Sequence, residues 1–250
     1  METRGLNGPA RVLVMVEHAL IADLIELTLN HGRYATRKAN DVAEATVVRD
    51  EWEPHLAVVD MDIGGARLIQ RLDRSDTADG PRIPTLALTR RGDLPTRLAA
   101  FEQGVEDIMT IPFSPEELLA RVLVITRRTY GQPLAFNPIL KLGEIEIDIM
   151  QRRVRAGTAE LHLTGLEQSL LYLLAAHAGQ VVTRDEILDA LWGADHIAGS
   201  NVVDRHIRNL RAKLQDDWRK PRFIATVPGK GYRLLPVSEG PSVSHQGVRP

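Results

Sequence analysis

The sequence predicts two folds in series. The first is an α/β doubly wound, five-stranded parallel sheet, and the second is a smaller α+β unit with three helices and a hairpin. Three observations carry this. Short apolar runs alternate with helical patterns five times before residue 128, the signature of repeated β-α units. The Gly- and Pro-punctuated stretch Thr129–Pro138 then breaks the alternation. Beyond it the apolar period drops to two residues before helical patterns resume.

In order, the strands are expected at Arg11–Val16, Tyr34–Ala39, His55–Asp60, Ile83–Leu88 and Glu106–Thr110. The helices are expected at His18–His31, Asp41–Trp52 (with Asp41 as cap), Gly65–Arg74, Leu94–Gln103 and Ser114–Arg128. Ser-Pro-Glu-Glu at the start of the last reads as a capping box with proline in the first turn. Ligand chemistry in such sheets gathers at the carboxyl ends of the strands. In the second unit Ile139–Leu163 alternates as a small antiparallel sheet. Thr164-Gly-Leu-Glu167 and Thr183-Arg-Asp-Glu186 are capping boxes. The first opens a helix with Leu166, Leu170, Leu173 and Leu174 on one stripe, and the second opens a helix closed by Gly193. A third helix runs from about Ser200 to Gln215, and Phe223–Val227 and Tyr232–Leu235 flank a Pro-Gly-Lys-Gly turn. The domains therefore span 9–128 and 139–236, with a linker at 129–138 and a tail at 237–250 whose Ser, Pro and Gly content predicts disorder.

Composition narrows the classes. With no cysteine, disulfides, thiol nucleophiles and cysteine-based zinc sites are excluded. The start METRGLNGPA has no apolar core of signal-peptide length and no apolar stretch reaches 18 residues, so a cytoplasmic protein without membrane contact is expected. Charge is uneven: residues 1–138 carry 16 basic and 20 acidic side chains, whereas residues 200–235 carry 9 basic and 3 acidic ones. A basic segment of net +6 on an acidic protein predicts a local polyanion contact.

At about 100° per residue, the third C-terminal helix buries Val203, Ile207, Leu210 and Leu214. Its opposite face presents Asn201, Arg205, Arg208 and Ala212, with Asn209 beside it. Arginine suits guanine edges, asparagine suits adenine, and a small alanine permits close approach. His206, Arg211 and Lys213 lie on the flanks, where phosphates would be met. The preceding helix ends at Trp192, and Gly193–Gly199 connects the two: helix-turn-helix logic with a long turn. The hairpin adds Lys230 and Arg233.

The stretches LTGLEQSLLYLL, GQVVTRDEILDALW, NVVDRHIRNLRAKL and FIATVPGKGYRLL make residues 139–236 resemble the winged helix-turn-helix domain of OmpR/PhoB-family response regulators. The resemblance implies a DNA-binding transcription regulator rather than an enzyme, with double-stranded DNA, RNA polymerase, a second copy of the chain and a cognate sensor kinase as partners. It puts Arg205, His206, Arg208, Asn209 and Arg211 at the DNA, Lys230 and Arg233 in the wing, and Gly193–Gly199 in the loop that touches RNA polymerase. Tyr232 reads as hairpin core.

PHLAVVDMDIGG, IPTLALT and PFSPEELLARV make residues 11–128 resemble the family's receiver domain, which implies a flavodoxin-like strand order. The resemblance makes Asp60 the phosphoacceptor candidate, Glu17 the second acid of the magnesium-binding pair and Thr89 the hydroxyl after the fourth strand. It also exposes departures: Val16 replaces the first acid, Ile111 the phosphate-binding lysine and Ile108 the aromatic switch residue, while Asp62 is an additional acid. A transferred phosphoryl group needs metal and cations to neutralise it, and such contacts are worth several kcal/mol. The expectation is a degenerate receiver that works largely without phosphorylation. No cofactor is expected beyond a weak magnesium site at Glu17 and Asp60. Arg97, Asp107, Glu117 and Arg121 match charged positions of a symmetric dimer face. The alternatives are a conventional regulator phosphorylated on Asp60 by a sensor kinase, and a pocket that senses a small ligand. An enzyme such as a metal-dependent phosphatase lacks a second strong base and a Gly-rich phosphate cradle here.

Overall fold

Strands β1 (Ala10–Met15), β2 (Tyr34–Ala39), β3 (Leu56–Asp60), β4 (Thr85–Thr89) and β5 (Asp107–Thr110) form a parallel sheet in the order β2-β1-β3-β4-β5. The computed structural model describes residues 8–30, 34–63, 67–69, 82–131, 139–142, 144–148, 153–193 and 201–235. Every residue of β3 and β4 is buried, as a sheet covered on both faces requires. Side chains alternate along β1. Val12 and Val14 join the core with α1 (Ala19–Leu29) and α4 (Pro115–Tyr130), while Leu13 and Met15 pack with Ala45 of α2 (Val42–Trp52) on the other face. Helix α3 (Leu94–Glu102) follows β4. Of the helix expected at Gly65–Arg74, 67–69 are helical and the rest lies outside the described residues.

Helix starts follow side-chain chemistry. Asp41 accepts from the Glu44 amide at 2.8 Å and Asp93 from the Thr96 amide at 2.9 Å. At α4 half of the expected capping box forms. Ser114 Oγ accepts from the Glu117 amide at 3.2 Å, but the Glu117 carboxylate is engaged by Arg121 instead. Helix α4 also runs two residues beyond its expected end, through Thr129 and Tyr130, into the segment read as linker. The stop is Gly131, whose φ of 71° suits a left-handed C-cap. The Tyr130 hydroxyl anchors the extra turn by donating to the His55 carbonyl at 2.8 Å. Residues 132–138 of that linker and the tail from 236 lie outside the described residues.

The second unit opens with an antiparallel sheet of β6 (Ile139–Leu142), β7 (Ile145–Asp148), β8 (Arg153–Ala156) and β9 (Ala159–Leu161). Helices α5 (Gly165–Ala176), α6 (Arg184–Trp192) and α7 (Val202–Leu214) follow, and both expected capping boxes are present on α5 and α6. The hairpin of β11 (Ile224–Val227) and β12 (Gly231–Leu234) gains a third strand absent from the sequence reading, β10 (Val182–Thr183), which pairs with β12. A Cβ at Gly231 would collide with the Val182 carbonyl, so this close approach requires glycine there.

Helix α5 is buried more widely than its expected stripe: Leu170, Leu171, Tyr172, Leu173 and Leu174 are all fully covered. The reason is tertiary. One apolar cluster runs from α1 and α4 of the first unit into α5, α6 and α7 of the second. Polar contacts rim it. Ser169 Oγ donates to the Phe113 carbonyl at 2.6 Å, His18 Nε2 meets Asp189 Oδ2 at 2.9 Å, and His177 Nε2 meets Asp23 Oδ2 at 2.8 Å.

Candidate nucleic-acid interface and acidic pocket

Helix α7 buries Val203, Ile207, Leu210 and Leu214 against the core. Asn201, Arg205, Arg208, Asn209 and Ala212 are exposed, and the docked first unit leaves this face open. Asn201 stands at the N-cap, where its carbonyl accepts from the Arg205 amide at 3.0 Å. Lys230 is exposed in the hairpin turn. Arg233 is half-buried, with its Nε covered by the protein.

Three expected phosphate contacts prove to have intramolecular work. The Arg211 guanidinium donates to the Ile224 carbonyl at 2.7 Å and to Thr226 Oγ1 at 2.8 Å, tying α7 to β11. Lys213 Nζ pairs with the buried Glu167 at 2.5 Å. His206 packs against Trp192 with ring centroids 5.4 Å apart, joining α7 to α6. Burial, followed by the charge of Arg205, holds the His206 pKa below the ordinary imidazole value. These flank positions carry cationic residue types, but a helix flank in a small domain is also where neighbouring elements pack.

Tyr232 is hairpin core, as expected, and a polar triad that the sequence did not disclose holds it. Its hydroxyl donates to Asp204 Oδ1 at 2.6 Å, and Arg184 pairs with the same carboxylate at 2.8 Å while its guanidinium lies 4.8 Å from the tyrosine ring centroid. Burial, together with Asp204, pushes the phenol up to about 12. Asp216 is a second silent organiser: buried after α7, it accepts amides from Arg222 at 2.6 Å, Phe223 at 3.3 Å and Ile224 at 2.8 Å. Beyond it Trp218 is exposed, with the Arg219 guanidinium 5.3 Å from its ring centroid.

In the first unit Asp60 lies at the carboxyl end of β3, beside the switch point where strand order reverses. It is 3% exposed, and burial pushes its carboxyl above the usual carboxylate range. The Asp62 amide donates to Asp60 Oδ1 at 2.9 Å and acts against that shift. Val16 is buried apolar core, as are Ile108 and Ile111. Asp62 turns its carboxylate to the end of β4. It accepts from the Arg90 amide at 2.9 Å and, at longer range, from Thr89 Oγ1 at 3.4 Å. Thr89 Oγ1 in turn accepts from the Arg91 amide at 3.0 Å.

Among the described residues no three acidic or histidine side chains are gathered to hold a metal ion. Glu17 is exposed, and Asp62 is occupied by β4. One residue here escaped the sequence reading. Arg90 is a cation whose charge weakly favours ionised Asp60, and its position directly after the strand-end hydroxyl was the available signal.

The four charges of the expected dimer face lie on α3, β5 and α4. Arg121 pairs within the chain with Asp107 at 2.5 Å and Glu117 at 2.8 Å, and Arg97 is exposed nearby. Leu94, Leu98 and Phe101 form an exposed apolar stripe along α3.

A parallel sheet with an acid at its switch point, joined to a winged helix-turn-helix with an open cationic face, defines a response-regulator type of transcription factor. Residues 12–123 match the response regulator receiver domain, and residues 158–234 match the C-terminal domain of transcriptional regulatory proteins. The DNA-binding response regulator MtrA of Mycolicibacterium smegmatis is 32% identical over 228 residues, covering 90% of this chain and 97% of that protein. The DNA-binding dual master transcriptional regulator RpaA of Synechocystis is 34% identical over 237 residues, covering 92% and 97%. Among solved structures, the OmpR/PhoB homologue DrrB of Thermotoga maritima is 28% identical, covers 91% of this chain and 99% of that one, and has a TM-score of 0.38. The chain belongs to the OmpR/PhoB family of response regulators and is a DNA-binding transcriptional regulator. Among the described residues no helix is long and apolar enough to cross a membrane.

Proposed function

We propose that this regulator binds specific double-stranded DNA through the exposed face of α7 and does so without phosphate on Asp60. Arg205, Arg208, Asn209 and Asn201 read bases or grip the backbone, and Lys230 and Arg233 supply the wing. The observation that carries the second half of the reading is the pocket. Asp60 and Ile111 are both buried, and the Thr89–Arg90 donors already hold the Asp62 carboxylate of the same chain. A phosphoryl group there adds nearly two negative charges, and Ile111 stands where the resemblance expects the lysine that would offset them.

The receiver serves as a dimerisation module through α3, β5 and α4. The apolar stripe Leu94, Leu98 and Phe101 beside Arg97, Asp107, Glu117 and Arg121 supports this. RNA polymerase is the partner proposed for the turn that starts at Gly193, whose residues 194–199 lie outside the described residues. Control by a sensor kinase through Asp60 is the second reading, favoured by the position of Asp60 beside Thr89 at the strand ends.

Genome-wide footprinting of the wild type beside Asp60→Ala tests both halves together. The proposal expects the same occupied sites and the same occupancy. Loss of the sites in Asp60→Ala would establish kinase control, and absence of discrete sites for either protein would remove sequence-specific binding.

A further inference from the structure

Arg90 links the acidic pocket to the DNA-binding domain. Asp62 Oδ2 holds the Arg90 amide at 2.9 Å, and Thr89 Oγ1 holds the next amide, that of Arg91, at 3.0 Å. Two residues on, Asp93 caps α3. The segment leaving β4 is therefore fixed on both sides. The Arg90 side chain then reaches across to the second domain: a Cβ built on Gly193 would lie 3.5 Å from an Arg90 guanidinium nitrogen and 3.7 Å from its Cδ. Gly193 closes α6, its amide donates to the Asp189 carbonyl at 2.9 Å, and its φ of 91° starts the turn toward α7. Asp189 itself pairs with His18 of the first domain, so the Arg90 contact adjoins an anchored part of the interface.

The donors that Asp62 uses are the hydroxyl and amide at the end of β4, beside the Asp60 carboxyl. An anion attached to Asp60 would have to draw on the same pair. We propose that Asp62 is a resident anion: its carboxylate permanently fills this acceptor position and, by fixing the Arg90 backbone, clamps the Arg90 side chain against Gly193 of the DNA-binding domain. This deepens the phosphate-independent reading and rests on it. The chemistry is local. A carboxylate accepting from a backbone amide makes a charge-assisted bond, stronger than a neutral one. The covalent tether keeps it in place with no ligand to bind or lose. The first 3-10 turn after β3 (Met61–Ile63) supplies the short reach, since the Asp62 amide is itself held by Asp60 Oδ1 at 2.9 Å.

The test is amide hydrogen exchange on the full chain, read at Arg90 and at Gly193, for Asp62→Ala, Arg90→Ala and the double variant. Asp62→Ala should speed exchange at both amides by about tenfold, a change equivalent to about 1.4 kcal/mol. Arg90→Ala keeps the backbone anchor and removes the clamp, so it should speed exchange at Gly193 and leave residue 90 protected. The double variant should exchange at Gly193 no faster than the faster single variant, because both changes break one connection. If Asp62→Ala unfolds the receiver, Arg90→Ala still decides the clamp, since its side chain is only half-buried. Unchanged Gly193 exchange in Arg90→Ala, or additive effects in the double variant, would overturn the proposal. Its failure is separable from failure of the underlying reading, which is judged by operator binding of Asp60→Ala.

Discussion

On α7, Arg205 and Arg208 stand in solvent, whereas at the end of β3 the Asp60 carboxyl is buried and Ile111 takes the place expected of its lysine. In the first region charge is kept free for an outside polyanion. In the second it is either replaced by an apolar side chain, as at Val16 and Ile111, or satisfied from within the chain, as at Asp62. Both regions match one family pattern, but the cations of α7 are exposed where the strand-end acid Asp60 is buried. The difference teaches that a site is better judged by which of its charges remain unspoken for than by how many family positions match.

The largest effect expected is structural and lies behind the cationic face. Asp216→Ala strips the acceptor from three backbone amides, two of them buried, and should cost about 3–5 kcal/mol, given about 1–3 kcal/mol for each buried group left unpaired. Denaturant unfolding of the full chain measures this, and a loss below 1 kcal/mol would mean that water replaces the carboxylate. Next, Arg208→Ala should weaken binding at the specific site by about 1–3 kcal/mol and relax base preference at one position. An unchanged preference with uniformly weaker binding would move Arg208 to the backbone. Arg211→Ala should behave differently, because its bonds to Ile224 and Thr226 are internal. A stability loss of about 1–2 kcal/mol is expected, with the ranking of DNA sequences preserved; altered base preference would restore it to the interface.

A subtler contrast comes from pH. Burial raises the Asp60 carboxyl above its unfolded value, so the folded state favours the protonated acid. The sign follows from linkage: this group's favourable contribution is full below the ordinary carboxylate pKa and is lost as pH rises through the raised one. Asp60→Asn should therefore raise the melting temperature at pH 7, with the advantage fading as the pH falls through the raised pKa and gone below the ordinary carboxylate value of about 4. An advantage that is constant with pH would point to packing instead. The smallest effect is at the dimer face. Arg121→Ala should cost the monomer about 0–1 kcal/mol, as partly exposed ion pairs do, while loosening the dimer in sedimentation at micromolar concentration. A dimer unaffected by this change would place the interface elsewhere.

Much of this architecture was legible because periodicity reports burial. The β3 run HLAVVD and the α7 spacing Val203, Ile207, Leu210, Leu214 each state a face, and both faces are where the pattern puts them. Caps were legible for the same local reason. Strand β10 was not, because a two-residue strand carries no period and exists only through pairing with β12. The full burial of α5 was hidden as well, since its second face is covered by α1 from a distant part of the chain. At the site, the exposed cations of α7 followed from helix geometry, but the capture of Arg211 by β11 and of Lys213 by Glu167 depends on packing that no spacing encodes. Asp62 is the sharpest case: the sequence showed an extra acid without a role, and the role depends on the end of β4 lying beside it.

The central claim is that the regulator reaches its DNA-binding state without a phosphoryl group. The most direct measurement is the operator affinity of the full chain at fixed salt, before and after incubation with magnesium and acetyl phosphate, with phosphate on Asp60 quantified in the same samples. The account predicts little or no phospho-Asp60 and an affinity unchanged within about twofold, under about 0.5 kcal/mol. Near-stoichiometric phosphorylation with a gain of about tenfold or more in affinity, about 1.4 kcal/mol, would contradict it.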